Sequence, residues 1–193
     1  MKKLIFSIIP ALLITGCCIN SSPSTEYFTI DTGSTFANYN YNIEISPIAS
    51  NELYGQKMVF LKTQNSIFFD NFNKWAQTPD KMITSYFDLY FNNPAAPPLK
   101  GNYTPLKLSA NILKLDCNIT NKECLLSIKV SVVNSPDNKL LSNTIYTEKQ
   151  PISKLSAASF ASSTSVTLKS IAKKIEESIN AIHQKQNIKK GTQ

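Results

Sequence analysis

Residues 106–117 alternate apolar and polar side chains through a long run, and the alternation changes phase once. Leu106, Leu108, Ala110 and Ile112 share one phase, while Leu113, Leu115 and Cys117 continue on the other. Successive side chains on a strand point to opposite faces, so a slip of one residue would turn half of this apolar set towards water. A bulge that absorbs one residue removes the conflict, and it is predicted near Ile112–Leu113. Leu126, Ile128, Val130 and Val132 make the return strand, Asp137-Asn138 turns the chain, and Leu140 to Glu148 is one more strand. A sheet with one apolar face needs a cover. Leu168, Ile171, Ile175, Ile179 and Ile182 recur at intervals of three and four, flanked by Lys173, Lys174, Glu176 and Glu177. That pattern is an amphipathic helix packed on the sheet, capped by Ser153 or Ser156.

Upstream, Tyr27–Ile30 is a short strand and Asp31–Tyr41, with Gly33, reads as a loop. Asn42–Ile48 alternates as a half-buried strand. Lys57–Lys62 and Ser66–Phe69 form a hairpin through Thr63-Gln64-Asn65. The period then changes. Thr78 as N-cap, Pro79 at the first helical position and Asp80 in the first turn open a helix. Its apolar face is Met82, Ile83, Tyr86, Phe87, Tyr90 and Phe91, and Asn92-Asn93-Pro94 ends it.

The chain starts with Lys2 and Lys3, then an apolar run of eleven residues from Leu4 to Ile14. That length suits an export signal, whereas a bilayer span needs about 20 residues. Ile14-Thr15-Gly16-Cys17 resembles the bacterial lipobox. The resemblance implies cleavage before Cys17, acylation of that residue and a chain held on a membrane by its acyl groups. Cys18 has a poorer upstream match and is spare. The residue after the lipidated cysteine is not Asp, which by resemblance to enterobacterial sorting favours the outer membrane.

Removing residues 1–16 leaves 177 residues, enough for one domain with a core. All 20 basic residues are lysine; there is no arginine. Surfaces that clamp phosphates or read bases lean on the guanidinium fork, so no nucleic-acid partner is expected. Cys117 and Cys124 bracket a polar stretch between two strands, in a chain bound for an oxidising space. A disulfide across the hairpin is the favoured expectation; two packed thiols are the alternative. Two cysteines without a nearby histidine do not make a metal site, and no cofactor motif occurs. The one histidine, His183, is expected as a cation near the end of the last helix. Asp70, Asp80 and Asp88 read as an exposed helix edge. No catalytic signature occurs, and the chain is not expected to be an enzyme.

Met58-Val-Phe-Leu-Lys62, then Trp75-Ala76-Gln77-Thr78-Pro79 and an apolar helix, resemble the PqiC/YmbA-type family of ABC-transport auxiliary lipoproteins. There a strand of the form I-V-Y-R precedes a W-A-E-P signature that opens a helix. The closing stretch Ala157-Ala-Ser-Phe160-Ala-Ser echoes the family's last helix. Lys62 stands where arginine is usual, and Gln77-Thr78 where an acid is common. The family signature falls on Trp75, Ala76 and Pro79; a core aromatic is the structural role expected of Trp75.

The resemblance implies an α+β domain with a mixed, mostly antiparallel sheet and two main helices packed against it, behind a cleaved lipoprotein signal peptide. Residues 1–16 would be the signal, 17–25 a flexible tether, 26–184 the domain and 185–193 a basic disordered tail. It implies a periplasmic accessory protein of a lipid-moving ABC system. Its partners would be an MCE-domain protein and an ABC permease with its ATPase, with homo-oligomeric rings in some members. The alternatives are another outer-membrane assembly lipoprotein, of the lipopolysaccharide-plug or TolB N-terminal type, or a lipid-binding module in its own right.

Overall fold

The computed structural model describes residues 24–31, 33, 36–63, 65–101 and 103–190, and the side chains of these except 187–190. The lipobox, Cys17, Cys18 and most of the tether lie outside the described residues. The elements in chain order are β1 (Glu26–Phe28), β2 (Glu44–Ile45), β3 (Ala49–Ser50), β4 (Lys57–Thr63), β5 (Ser66–Trp75), α1 (Pro79–Phe91), β6 (Leu106–Asn118), β7 (Glu123–Asn134), β8 (Leu140–Pro151) and α2 (Ala157–Lys190). The fold is α+β. One sheet runs β1-β5-β4-β6-β7-β8, with β2 and β3 also paired to β6. Its hairpins β4–β5, β6–β7 and β7–β8 are antiparallel, while β1, β2, β3 and the β4–β6 junction are parallel.

The phase slip in β6 is a bulge at the predicted place. Ile112 pairs with Ile128 and Lys114 with Ser127, so Leu113 is the additional residue. Leu108, Ile112, Leu115 and Cys117 are buried, whereas Leu113 is exposed. One unpaired residue thus returns the second half of the strand to the core. Ser109, Asn111, Lys129 and Asn143 mark the open side of the sheet.

Burial of Leu168, Ile171, Ile175 and Ile179 makes α2 the cover for the sheet. Ser156, not Ser153, caps it: its hydroxyl oxygen accepts from the Ser159 amide at 3.2 Å. The helix runs on through Lys190, into the segment expected to be a disordered tail. Lys, Gln, Asn and Ile carry it that far, and no glycine or proline intervenes before Gly191.

Glu176, expected on the flank of α2, is buried and ties three parts of the chain together. Its carboxylate accepts from the Tyr41 hydroxyl at 3.1 Å, the Tyr90 hydroxyl at 2.9 Å and the Asn38 amide at 3.2 Å. Burial, then the Glu176 charge, pushes Tyr41 far above the ordinary tyrosine range; burial and the hydrogen bond to Glu176 do the same to Tyr90. Burial, with Asp31 adding to it, pushes Tyr86 up to about 12.

Other expectations are corrected. The strand foreseen over 42–48 is two fragments, β2 and β3, on either side of Ser46-Pro47-Ile48, because proline offers no N–H to the ladder. Thr78 is the N-cap of α1 by backbone, yet its hydroxyl makes no cap hydrogen bond and is buried without a partner. His183 lies within α2 rather than in its last turn. It is buried, tilted against Tyr103 at 4.5 Å and stacked on Tyr41 at 6.3 Å, and its Nδ1 has no partner. Burial holds its pKa below the usual imidazole value, so the neutral ring is favoured rather than a cation. Gly101, at φ +127°, permits this packing: a Cβ there would come within 2.9 Å of the Tyr103 ring.

Candidate functional site: an aromatic sheet edge

The β4–β5 hairpin was expected to end its second strand at Phe69, but β5 continues to Trp75 across an interruption. Val59 pairs with Phe69 and Lys57 with Lys74, so the four residues Asp70–Asn73 stand opposite Met58 alone. Asp70 clasps it. One carboxylate oxygen accepts from the Phe72 and Asn73 amides, both at 2.9 Å, and the other from the Asn73 side-chain amide at 2.8 Å. Burial alone would raise the Asp70 pKa; these hydrogen bonds outweigh it and hold the carboxyl below its usual range. Asp70 therefore belongs to a strand bulge and not to a helix edge.

The clasp thrusts Phe72 outward, to 50% exposure, and β1 beside it leaves Tyr27 61% exposed. Ile67, Phe68 and Phe69 on the same strand are exposed too. Phe68 stacks on buried Phe60 at 5.2 Å, and Phe60 meets Phe160 of α2 at 5.4 Å, so Phe68 lies on the helix side. Alternation puts Ile67 and Phe69 on the opposite side. The Lys57 ammonium sits 5.9 Å from the centre of the Phe69 ring. The apolar side chains therefore wrap around the margin of the sheet instead of occupying one face. On the helix side they open into a groove of about 370 Å³ between Phe28, Phe60, Phe68, Leu155, Asp70 and Ser156.

The residues singled out in the sequence fall into two groups. Trp75, Ala76 and Pro79 sit together where β5 passes into α1. Trp75 is buried edge-on to Phe160 at 5.3 Å, its amide donates to the Gln56 carbonyl at 2.7 Å, and the Ala76 amide donates to Phe28 at 2.7 Å. Pro79 is buried at the first helical position of α1. This signature is a joint that locks β1, β4 and α1 to one another. Cys117 and Cys124 meet at the far end of the β6–β7 hairpin as directly opposed, buried thiols, sulfurs 2.8 Å apart. The hydrogen bond to Cys117, followed by burial, pushes the Cys124 thiol well above its usual pKa. The structure places the two cysteines side by side, close enough for either the disulfide or the packed thiols.

The fold is shared with a protein of Xanthomonas campestris. That crystal structure, of the family model DUF330, superposes with a TM-score of 0.67 at 13% identity, over 86% of this chain and 99% of that one. The crystal structure of an uncharacterized protein gives 0.59 at 13% identity, over 83% and 98%. At such identities the likeness is one of fold. No family model matches the sequence, and no curated protein does. Among the described residues, no helix is long and apolar enough to cross a membrane, and no group of three or more His, Cys, Asp or Glu is placed to hold a metal ion.

Nothing in the sequence separated the exposed aromatics of β5 from core ones. A run such as Ile67-Phe68-Phe69 reads as a buried strand until the sheet order shows that only three residues of β1 lie outside it.

Proposed function

We propose that this chain is a lipoprotein anchored at Cys17 on the periplasmic side of a membrane, the outer membrane being favoured. In this reading it is a non-catalytic accessory component of an ABC/MCE-type system that moves lipids between inner and outer membranes. The observation that carries the reading is the coincidence of motif and fold. The Trp75-Ala76…Pro79 signature stands at the strand-to-helix joint of a domain that shares its fold, nearly end to end, with a DUF330 protein. DUF330 is the PqiC/YmbA-type family that the motifs resemble. The partners are an MCE-domain protein and the ABC permease with its ATPase, touched through sheet edges and loops. Free margins suit such contacts, because an unpaired strand presents its N–H and C=O groups to whatever docks.

Crosslinking in cells followed by affinity capture tests the reading. Recovery of an MCE-domain protein or an ABC permease is the expected result. A capture that enriches neither, from a strain whose genome places no ATPase, permease and MCE genes beside this one, overturns it.

A further inference from the structure

The geometry points to the β1–β5 margin as a membrane seat: Tyr27, Phe69 and Phe72, with the lysines around them, lie in the headgroup region of the bilayer that holds the acyl anchor. The inference deepens the proposed function and rests on its membrane anchorage, not on any transport partner.

Three observations carry it. The first is where the tether leaves. β1 pairs parallel to β5, Glu26 opposite Asn73 and Phe28 opposite Trp75, so the Glu26 end of β1 faces back towards the β4–β5 turn. Cys17 is nine residues before Glu26, a reach of at most about 30 Å. The domain therefore cannot move far from the bilayer, and the side from which its tether departs is the side with the exposed rings.

The second is chemistry. Exposed aromatic side chains beside lysines match an interface in which rings sit at headgroup level and ammonium groups reach phosphates. Lys57, Lys62 and Lys74 lie on the two strands of the hairpin, and Lys57 packs over the Phe69 ring. The β6–β7 turn is bonded to β4 through Ile119 and Thr120, and it brings Lys122 to the same end of the sheet. Of the acids nearby, Asp70 is occupied by its three hydrogen bonds, Glu123 is paired with Lys149 at 3.0 Å, and Glu26 is left.

The third is construction. The exposure of Phe72 is not an accident of a loose loop. An acceptor side chain is spent on holding the bulge that projects it.

The test uses the full acylated protein reconstituted in vesicles of phosphatidylethanolamine and phosphatidylglycerol carrying brominated acyl chains. The single native tryptophan, Trp75, is buried and gives a low background. Phe72→Trp and, independently, Phe69→Trp each add a tryptophan at the margin. Leu140→Trp adds one at an exposed position on β8. The expected result is quenching of the added tryptophan at 72 or 69 at least two-fold greater than at 140. Equal quenching at all three positions overturns the seat, as does an unquenched margin, whether the margin is bare or covered by a protein. Mass spectrometry of the same preparation reads the acyl groups on Cys17, and the capture experiment reads the transport partners. A failed seat is thereby distinguished from a failed anchor and from a failed partner assignment.

Discussion

Cys117 and Cys124 face each other across the β6–β7 hairpin, both buried, with their sulfurs 2.8 Å apart. Oxidation requires only a small approach of the two sulfurs, and the closed loop would be short. Protein recovered from an oxidising compartment is expected to carry the bridge, which adds about 2 kcal/mol by restricting the unfolded chain. Alkylation without reductant, followed by intact mass measurement, checks it. Two alkylated thiols in every molecule would contradict the expectation.

The bulge at Leu113 is a register device, and it separates two substitutions that look alike in sequence. Leu113→Asn touches an exposed, unpaired residue and is expected to change stability by less than about 0.5 kcal/mol. Leu115→Asn, two residues on, puts an amide in place of a buried leucine and is expected to cost about 3 kcal/mol. Circular dichroism and thermal melts of the two proteins distinguish the outcomes; equal stabilities at the two positions refute the assigned register.

Glu176 holds two tyrosine hydroxyls and a backbone amide in the interior. Glu176→Ala strands the Tyr90 hydroxyl and the Asn38 amide, while the Tyr41 hydroxyl keeps the Asn180 side-chain oxygen at 2.9 Å, and a loss of about 3 kcal/mol is expected, at the upper end for a buried hydrogen-bonded group. Glu176→Gln keeps one acceptor oxygen and is expected to lose less. Urea titration of both variants provides the comparison. Equal losses would mean that the acceptor oxygen retained in glutamine contributes nothing, against the hydrogen-bonding account of the site.

Stability should fall on the alkaline side for a stated reason. Tyr41, Tyr86 and Tyr90 all have pKa values raised above 10 in the folded chain, Tyr86 to about 12. Below pH 10 the folded and unfolded chains both keep the protons, and this contribution is complete. Above pH 10 the unfolded chain ionises while the folded chain resists, so stability declines as pH rises from 10 towards 12. Denaturation midpoints at pH 9, 10 and 11 should descend in that order, and a flat series would contradict the burial of these hydroxyls.

His183 acts in the acid direction. Its folded pKa is lowered by burial, so its contribution is complete above about 6.5, the ordinary imidazole value, and is lost as pH falls through the folded value. His183→Phe keeps a ring between Tyr41 and Tyr103 and removes the titrating group. The variant is expected to show a flatter stability profile between pH 7 and 5 than the parent. Identical profiles would assign the acid sensitivity elsewhere.

How much of this was legible depended on whether a local pattern governed each element. The β6 bulge could be read because an apolar ladder records every slip of register, and α1 and α2 because their stripes keep the helical period. β5 beyond Phe69 could not be read, since Asp70-Asn71-Phe72-Asn73 breaks alternation and side-chain hydrogen bonds replace the ladder. β2 and β3 read as one strand in the sequence because proline at 47 matters only once the partner strand is known. Glu176 and His183 looked like solvent-facing helix residues; their partners come from Tyr41, Tyr90 and Tyr103, far away in sequence. Exposure of the Ile67–Phe72 aromatics depends on strand order, which no single segment encodes. The lipobox and Cys17 lie outside the described residues.

The brevity of β1 has a mechanical meaning. Were residue 17 fixed in a bilayer as proposed, any pull between membrane and domain would arrive first at Glu26–Phe28, three residues at the sheet's margin. Behind them, Ile30 is buried and the Asp31 amide is bonded to Ser165 of α2 at 2.9 Å, a firmer hold. The strand can peel away and release about 10 Å of slack while the remaining sheet keeps its shape. A leash fixed in that way would have its own give, and the domain would ride up from the lipid surface and settle back without unfolding.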